Sequence, residues 1–317
     1  MNYEEFCKWV ENRLKEHFKE KAHIEIQSVR KNNGVRQKGL FIIREGSNIT
    51  PTIYLREFYN MYEDGIEPEN VLKVLLAVYE ANKAETNLDF SFFKDFNQVK
   101  ERIAYKLVNR EDNEGILKEV PWIPMLDLAL VFYFILPEDF FTSGTIMIKQ
   151  SHCEEWGVDE KKLFSIAEKN MPELCPPLLL DMKAMLDAWE SLANMELDSN
   201  TEELLKNLWQ PVNLESLELS DRKREEYMFI LTNEKRNLGA AAIRYDGMLK
   251  KLAEKFQSDL YILPSSIHEC IILPADEDEA DKELEALVGR VNHSQVAKEE
   301  RLSDRVYRYV REKDEIV

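Results

Sequence analysis

The chain has 317 residues, 44% hydrophobic and 32% charged, and its 42 basic against 60 acidic side chains give a formal net charge of −18. That balance is typical of a folded protein with a highly ionised surface, and its sign argues against general binding to nucleic-acid backbones or anionic membranes. Cys7, Cys153, Cys175 and Cys270 are scattered without a CxxC pair, which excludes a disulfide framework and fits reduced thiols in a cytoplasm.

The opening stretch MNYEEFCKWVENRLKEHF places Phe6, Trp9, Val10, Leu14 and Phe18 on one helical face. Its early acidic residues are unlike the basic-then-apolar order of a secretory signal, so export is not expected. Two β-rich runs follow around Asn32-Asn33-Gly34, and the Asn-Gly pair predicts a tight hairpin turn. In NITPTIYLREFYNMYEDG, Thr50 is read as a cap and Pro51 as the first helical residue. Leu55, Phe58, Tyr59 and Tyr62 form the stripe, and Gly65 is the stop. Tyr54 joins Phe58, Tyr59 and Tyr62 in an aromatic surface expected to be mainly core. A second helix, EPENVLKVLLAVYEANK, is predicted to turn Val71, Leu75, Val78 and Tyr79 inward.

The two prolines of KEVPWIP set an expected domain boundary near residue 120, dividing the chain into 1–120 and 121–317. Beyond it, LALVFYFIL is about half of the roughly 20 apolar residues a membrane span requires. The order of strand, strand and helix occurs first at the front hairpin. It returns from Met125 to Asn170, from Tyr227 to Phe256, and from Asp259 into the helix after Pro274. The prolines at 176 and 177 open a predicted helical insertion over about 172–215. Hairpins require antiparallel pairing, so the expected class is α+β: antiparallel sheets from four strand-strand-helix units, with that insertion.

Candidate chemistry concentrates late in the chain. In SDLYILPSSIHECIILP, strand alternation places His268, Cys270 and Ile272 on one face and Ile267, Glu269, Ile271 and Leu273 on the other. No HExxH zinc pattern is present, because Ile272 stands where the second histidine belongs. Ser265 and Ser266 lie close in sequence to His268 but lack the Gly-x-Ser-x-Gly elbow and an orienting acid. The histidine is therefore read first as scaffold. In LTNEKRNLGAAAIRYDG, the polar loop Asn233, Glu234 and Arg236 is expected to project beside Ser265 as a recognition patch, with Gly239 opening a returning strand and Ala240 to Ala242 allowing close packing.

His152, Cys153, Glu154 and Glu155 in SHCEEW are possible metal ligands, but adjacent strand residues diverge, and no metal site is expected. The acidic run ADEDEADKELE suits a helix N-terminus. Neither GxGxxG nor GxxxxGK[ST] occurs, and no cofactor is expected.

The stretches TPTIYLREFYNMYEDG and LTNEKRNLGAAAIRYDGMLKKLAEKFQSDLYILPSSIHECIILP resemble a bacterial family known as a domain of unknown function, common in anaerobic gut bacteria. The resemblance runs through most of the chain and implies a bacterial, cytoplasmic protein; it carries no catalytic residue. This chain departs from the family pattern at Asp246-Gly247, where Pro-Gly is expected, and at Cys270, where an aliphatic is expected.

Three functions follow as expectations. The leading one is a non-enzymatic interaction or regulatory protein that offers Asn233, Glu234, Arg236 and Ser265 to a protein partner, with no membrane and no direct nucleic-acid contact. The first alternative is a small-molecule hydrolase with His268 as base, Ser265 or Ser266 as nucleophile, and Glu234 assisting. The second is an acidic decoy of a DNA-binding protein.

Overall fold

A computed structural model of the chain describes residues 1–83, 87, 89–137, 144–193, 209–215, 217, 227–275 and 281–317. The architecture is α+β with antiparallel sheets. The chain divides into two compact units, Met1–Gln98 with Ile135–Ile146, and Val99–Phe134 with Met147–Val317. Pro121 and Pro124 lie inside the second unit.

The first unit opens with α1 (Tyr3–Phe18), held at its start by a reciprocal cap: Asn2 Oδ1 accepts from the Glu5 N–H, and Glu5 Oε2 accepts from the Asn2 N–H, each at 2.9 Å. Strands β1 (Ala22–Arg30) and β2 (Arg36–Arg44) pair antiparallel across a turn in which Asn33 and Gly34 take φ of 54° and 66°. This is the positive-φ geometry expected of the Asn-Gly pair.

The next helix, α2 (Leu55–Glu63), starts four residues later than Pro51 suggests. Thr50 Oγ1 donates to the Ile42 carbonyl at 2.9 Å instead of capping, and Ile53–Tyr54 form β3 against Gly39–Leu40. Local helix signals lose here to sheet pairing. Helix α3 (Pro68–Asn82) buries Val71, Leu72, Leu75 and Tyr79 and leaves Val78 exposed, so the inward stripe is rotated by part of a turn from the expected one. Phe58 and Tyr59 are buried with α1's Phe6 and Val10, and Tyr62 stacks on Phe6 at 5.8 Å.

After the one-turn helix α4 (Phe96–Val99), the second unit has two sheets. One is ordered β4 (Ile103–Asn109), β6 (Leu128–Ile135), β5 (Trp122–Met125), with β7 (Thr145–Met147) also pairing β6. A one-turn helix, α5 (Glu114–Leu117), stands between β4 and β5. Every residue of β6 is buried, as expected of a central strand. Lys106 of β4 lies in one row with Val131 and Trp122, and burial pushes its amine well below the usual lysine range.

SHCEEW is not a strand: Gln150–Trp156 form α6, followed by α7 (Glu160–Leu174), which Asp159 caps through the Lys162 N–H at 2.8 Å. Asn170 on α7 donates to the Lys100 and Ile103 carbonyls at 2.8 and 2.9 Å and fastens the helix to β4.

The second sheet runs β13 (Glu315–Ile316), β12 (Tyr307–Val310), β10 (Leu260–Leu263), β11 (Cys270–Pro274), β9 (Phe229–Asn233), β8 (Pro177–Asp181). The predicted insertion thus begins with an edge strand, β8, before α8 (Met182–Ala193); the rest of its helical reading, at 194–208, lies outside the described residues. Gly239 does not open a returning strand either. Gly239–Arg244 form a 3-10 turn on the sheet, and β9 pairs β8 and β11 instead. A Cβ on Gly239 would stand 2.2 Å from Thr232 Oγ1 and 2.7 Å from the His268 carbonyl, so only glycine allows this approach.

That turn and α9 (Met248–Phe256) cover the sheet face carrying Phe229, Leu231, Cys270 and Ile272. The opposite face holds Tyr261, Leu263, Ile271 and Leu273 against Leu284 and Val288 of α10 (Asp281–Gln295). The two sheets are tied at a hairpin tip: Asp127 accepts from Ser303 Oγ at 2.7 Å and from Tyr307 Oη at 2.6 Å, and Asn109 Nδ2 donates to the Leu302 carbonyl at 3.0 Å. Among the described residues, no helix is long and apolar enough to cross a membrane.

Candidate functional site

Three adjacent strands place Leu180, Ile230 and Ile271 in one row, because Ile230 pairs with both Leu180 and Ile271. This row is the floor of a hollow of about 270 Å3 on the α10-bearing face of the sheet. Met182 and Met185 enter it from the first turns of α8, whose chain direction is fixed by the Met182 N–H bonding to the Met228 carbonyl at 2.9 Å. Trp209 is carried to the same edge by the segment that follows, since the Val212 N–H reaches the Leu179 carbonyl at 2.8 Å.

Polar groups meet this apolar floor at one end. The guanidinium of Arg236 lies over the Trp209 ring, 4.3 Å from its centroid. Arg236 takes a positive φ of 50°, held by its N–H bonding to the Asn233 carbonyl at 2.8 Å. Asn233 is only 1% exposed and donates through Nδ2 to the Asn237 carbonyl at 2.8 Å. It braces the loop from within and does not present itself to solvent. Glu234 is exposed, its N–H donates to the Pro176 carbonyl, and it does not line the hollow. Of the expected patch, Arg236 and Ser265 share the hollow, and Thr232 and Glu269 join them.

Burial raises the Glu269 carboxyl above the usual glutamate range, opposed by the neighbouring His268 and by a hydrogen bond with Ser266.

His268 sits in the bend before β11, not on the strand as alternation suggests. Its Nδ1 accepts from the Leu238 N–H at 3.2 Å, and its Nε2 lies 3.7 Å from Glu300 Oε1. Acceptance at Nδ1 places the neutral ring's proton on Nε2, so no lone pair is left for a general base. The histidine carbonyl accepts from Thr232 Oγ1 at 2.7 Å. The serines point elsewhere: Ser266 Oγ accepts the main-chain N–H of His268 at 3.0 Å, and Ser265 lines the hollow.

Cys270 is fully buried, and burial pushes its thiol far up. His152 Nδ1 accepts from the Lys149 N–H at 3.1 Å while Cys153 is buried, and no group of three or more His, Cys, Asp or Glu able to hold a metal occurs among the described residues. Residues 276–280 of the acidic run lie outside the described residues.

Sequence reasoning missed Trp209, Met182 and Met185 because it read their segment as a helical insertion and assigned it no site residue. It noticed Glu269 only as a residue on the face opposite His268; the shared face with Ile271 was the signal.

A family model described as a family of unknown function (DUF5688) matches residues 3–311. No curated protein and no solved structure matches the chain.

Proposed function

Starting from a chain that belongs to the family of unknown function DUF5688, we propose that it is a non-enzymatic binding protein that seats one apolar anchor side chain of a protein partner in the hollow between Arg236 and Glu269. The observation that carries this reading is the combination of a Trp209–Arg236 platform, a methionine-lined wall and a few convergent polar groups in about 270 Å3. That volume lies below the roughly 300–1,000 Å3 usual for small-molecule pockets and suits a single buried anchor residue. Adaptable methionines and a tryptophan–arginine pair are frequent at such contact centres. Arg236, Ser265 and Glu269 supply donors and acceptors at the rim for the partner's main chain.

The test is selection of displayed peptides on the full chain, followed by affinity measurement with Trp209→Ala and Met185→Glu variants. Enrichment of peptides sharing one large apolar residue, with binding lost in both variants, is the expected result. Peptides that bind the variants as well as the parent, or no enrichment, would remove the hollow from the account.

A further inference from the structure

The second unit also holds a cleft of about 780 Å3, floored by Met125, Leu126 and Ile243 and well within the size range of small-molecule sites. It is separate from the hollow: the two share no lining residue. Its charges behave in two ways. Lys250 and Asp314 satisfy each other at 3.3 Å, with Tyr309 Oη donating to the same carboxylate at 2.5 Å. By contrast, Arg244, Lys169, Glu168, Asp246 and Glu315 line the cleft exposed and without an ion pair or side-chain hydrogen bond among the described residues; Arg244 also lies 5.9 Å from the Phe164 ring centroid. Opposite charges set around one recess without pairing with each other are matched by a ligand that carries both signs.

We propose that this cleft binds a small zwitterion of short-peptide size, with Arg244 taking its carboxylate and Asp246 and Glu168 its ammonium group. A guanidinium offers a carboxylate two parallel donors, which a lysine cannot. Three residues on, Gly247 precedes α9 as its N-cap and offers no side-chain cap, so the helix's partial positive charge adds to that of Arg244. The acidic residues in the lining repel polyanions such as nucleotide polyphosphates, as does the net charge of −18. The apolar floor accommodates an aliphatic side chain between the charged ends.

The experiment uses the full chain labelled with carbon-13 at methionine methyls, titrated with alanyl-leucine, N-acetyl-alanyl-leucine and alanyl-leucinamide. Met125 reports the cleft, while Met182 and Met185 report the hollow. The expected result is a saturable shift of Met125 alone, with each blocked peptide binding about tenfold more weakly, the loss of one charge-assisted contact. Arg244→Gln should bring the free dipeptide down to the affinity of the amide, and Asp246→Asn should weaken the free dipeptide but leave the acetylated one unchanged. A Met125 signal that does not saturate, equal affinities for free and blocked peptides, or indifference to both substitutions would overturn the proposal.

Discussion

Arg236 lies over the Trp209 indole, 4.3 Å from the ring centroid, although the two come from separate segments of the chain. The contact closes one wall of the hollow and holds a charged group against an apolar surface. Because both residues are partly solvated, the pair itself contributes only about 0.5–1 kcal/mol. Arg236→Ala is therefore expected to leave the urea midpoint nearly unchanged while weakening anchor-peptide binding by roughly tenfold or more, as truncation of a contact centre does. Equilibrium unfolding and peptide titration of the same variant check both halves.

Gly239→Ala tests the close approach of the 3-10 turn to β9. The added methyl meets Thr232 Oγ1 and the His268 carbonyl, neither of which is a flexible chain end. A destabilisation of about 1–3 kcal/mol or more is expected in urea. The same substitution displaces the Thr232–His268 hydrogen bond, so amide exchange at Leu238 and His268 should quicken.

Lys106→Met should stabilise the second unit, because a desolvated amine with no ion pair among the described residues is exchanged for an apolar chain of similar length. A gain of about 1–3 kcal/mol is expected near neutrality, the range for relieving an uncompensated polar group. The lysine's folded pKa lies below its unfolded one, so the unfolded state binds the extra proton between the two values and stability rises with pH across that window. The parent should thus approach the variant's stability as pH climbs toward about 10.4. Urea midpoints of both proteins across the alkaline range measure this.

Glu269 has the opposite sign. Its folded pKa is raised by burial, so the group contributes stability below the unfolded value of about 4.3 that is lost as pH rises through the folded one. Glu269→Gln keeps a neutral hydrogen-bonding group in place and should raise the melting temperature at neutral pH. It should also flatten the decline from mildly acidic to neutral solution. A variant with the parent's pH profile would show that this carboxyl is as well solvated folded as unfolded.

The hydrolase alternative predicts labelling of a serine by a fluorophosphonate. The geometry predicts none, because the His268 Nδ1 lone pair is engaged by the Leu238 N–H and the Ser266 hydroxyl is engaged by the His268 N–H and the Glu269 carboxyl. Intact-mass measurement after prolonged exposure decides between them.

How much of this was legible beforehand depended on whether the governing contact was local. The Asn33-Gly34 turn, the α1 stripe and the β10–β11 pairing were readable because neighbours within a few residues decide them. The later start of α2 and the 3-10 turn at Gly239 were not. Each is decided by strands outside the local stretch, in one case β2, which takes Ile53–Tyr54 as an added strand, and in the other β8 and β11, which already occupy the two edges of β9. The candidate site divides in the same way. Arg236 and Ser265 were anticipated as loop residues near one end of a sheet, whereas Trp209 and the two methionines reach it only through the pairing of an unforeseen edge strand, β8.

The clasp at Asp127 bears on the order in which the polypeptide acquires its shape during synthesis. Its two hydroxyl partners lie 176 and 180 residues further along the chain, so nearly all of the second unit must leave the ribosome before that carboxylate is satisfied. Contacts of such span are slow to form and late to be rewarded. Until they close, the apolar strand Leu128–Ile135 is without its finished surroundings, and a nascent chain halted before Ser303 should depend on chaperones more heavily than the completed one.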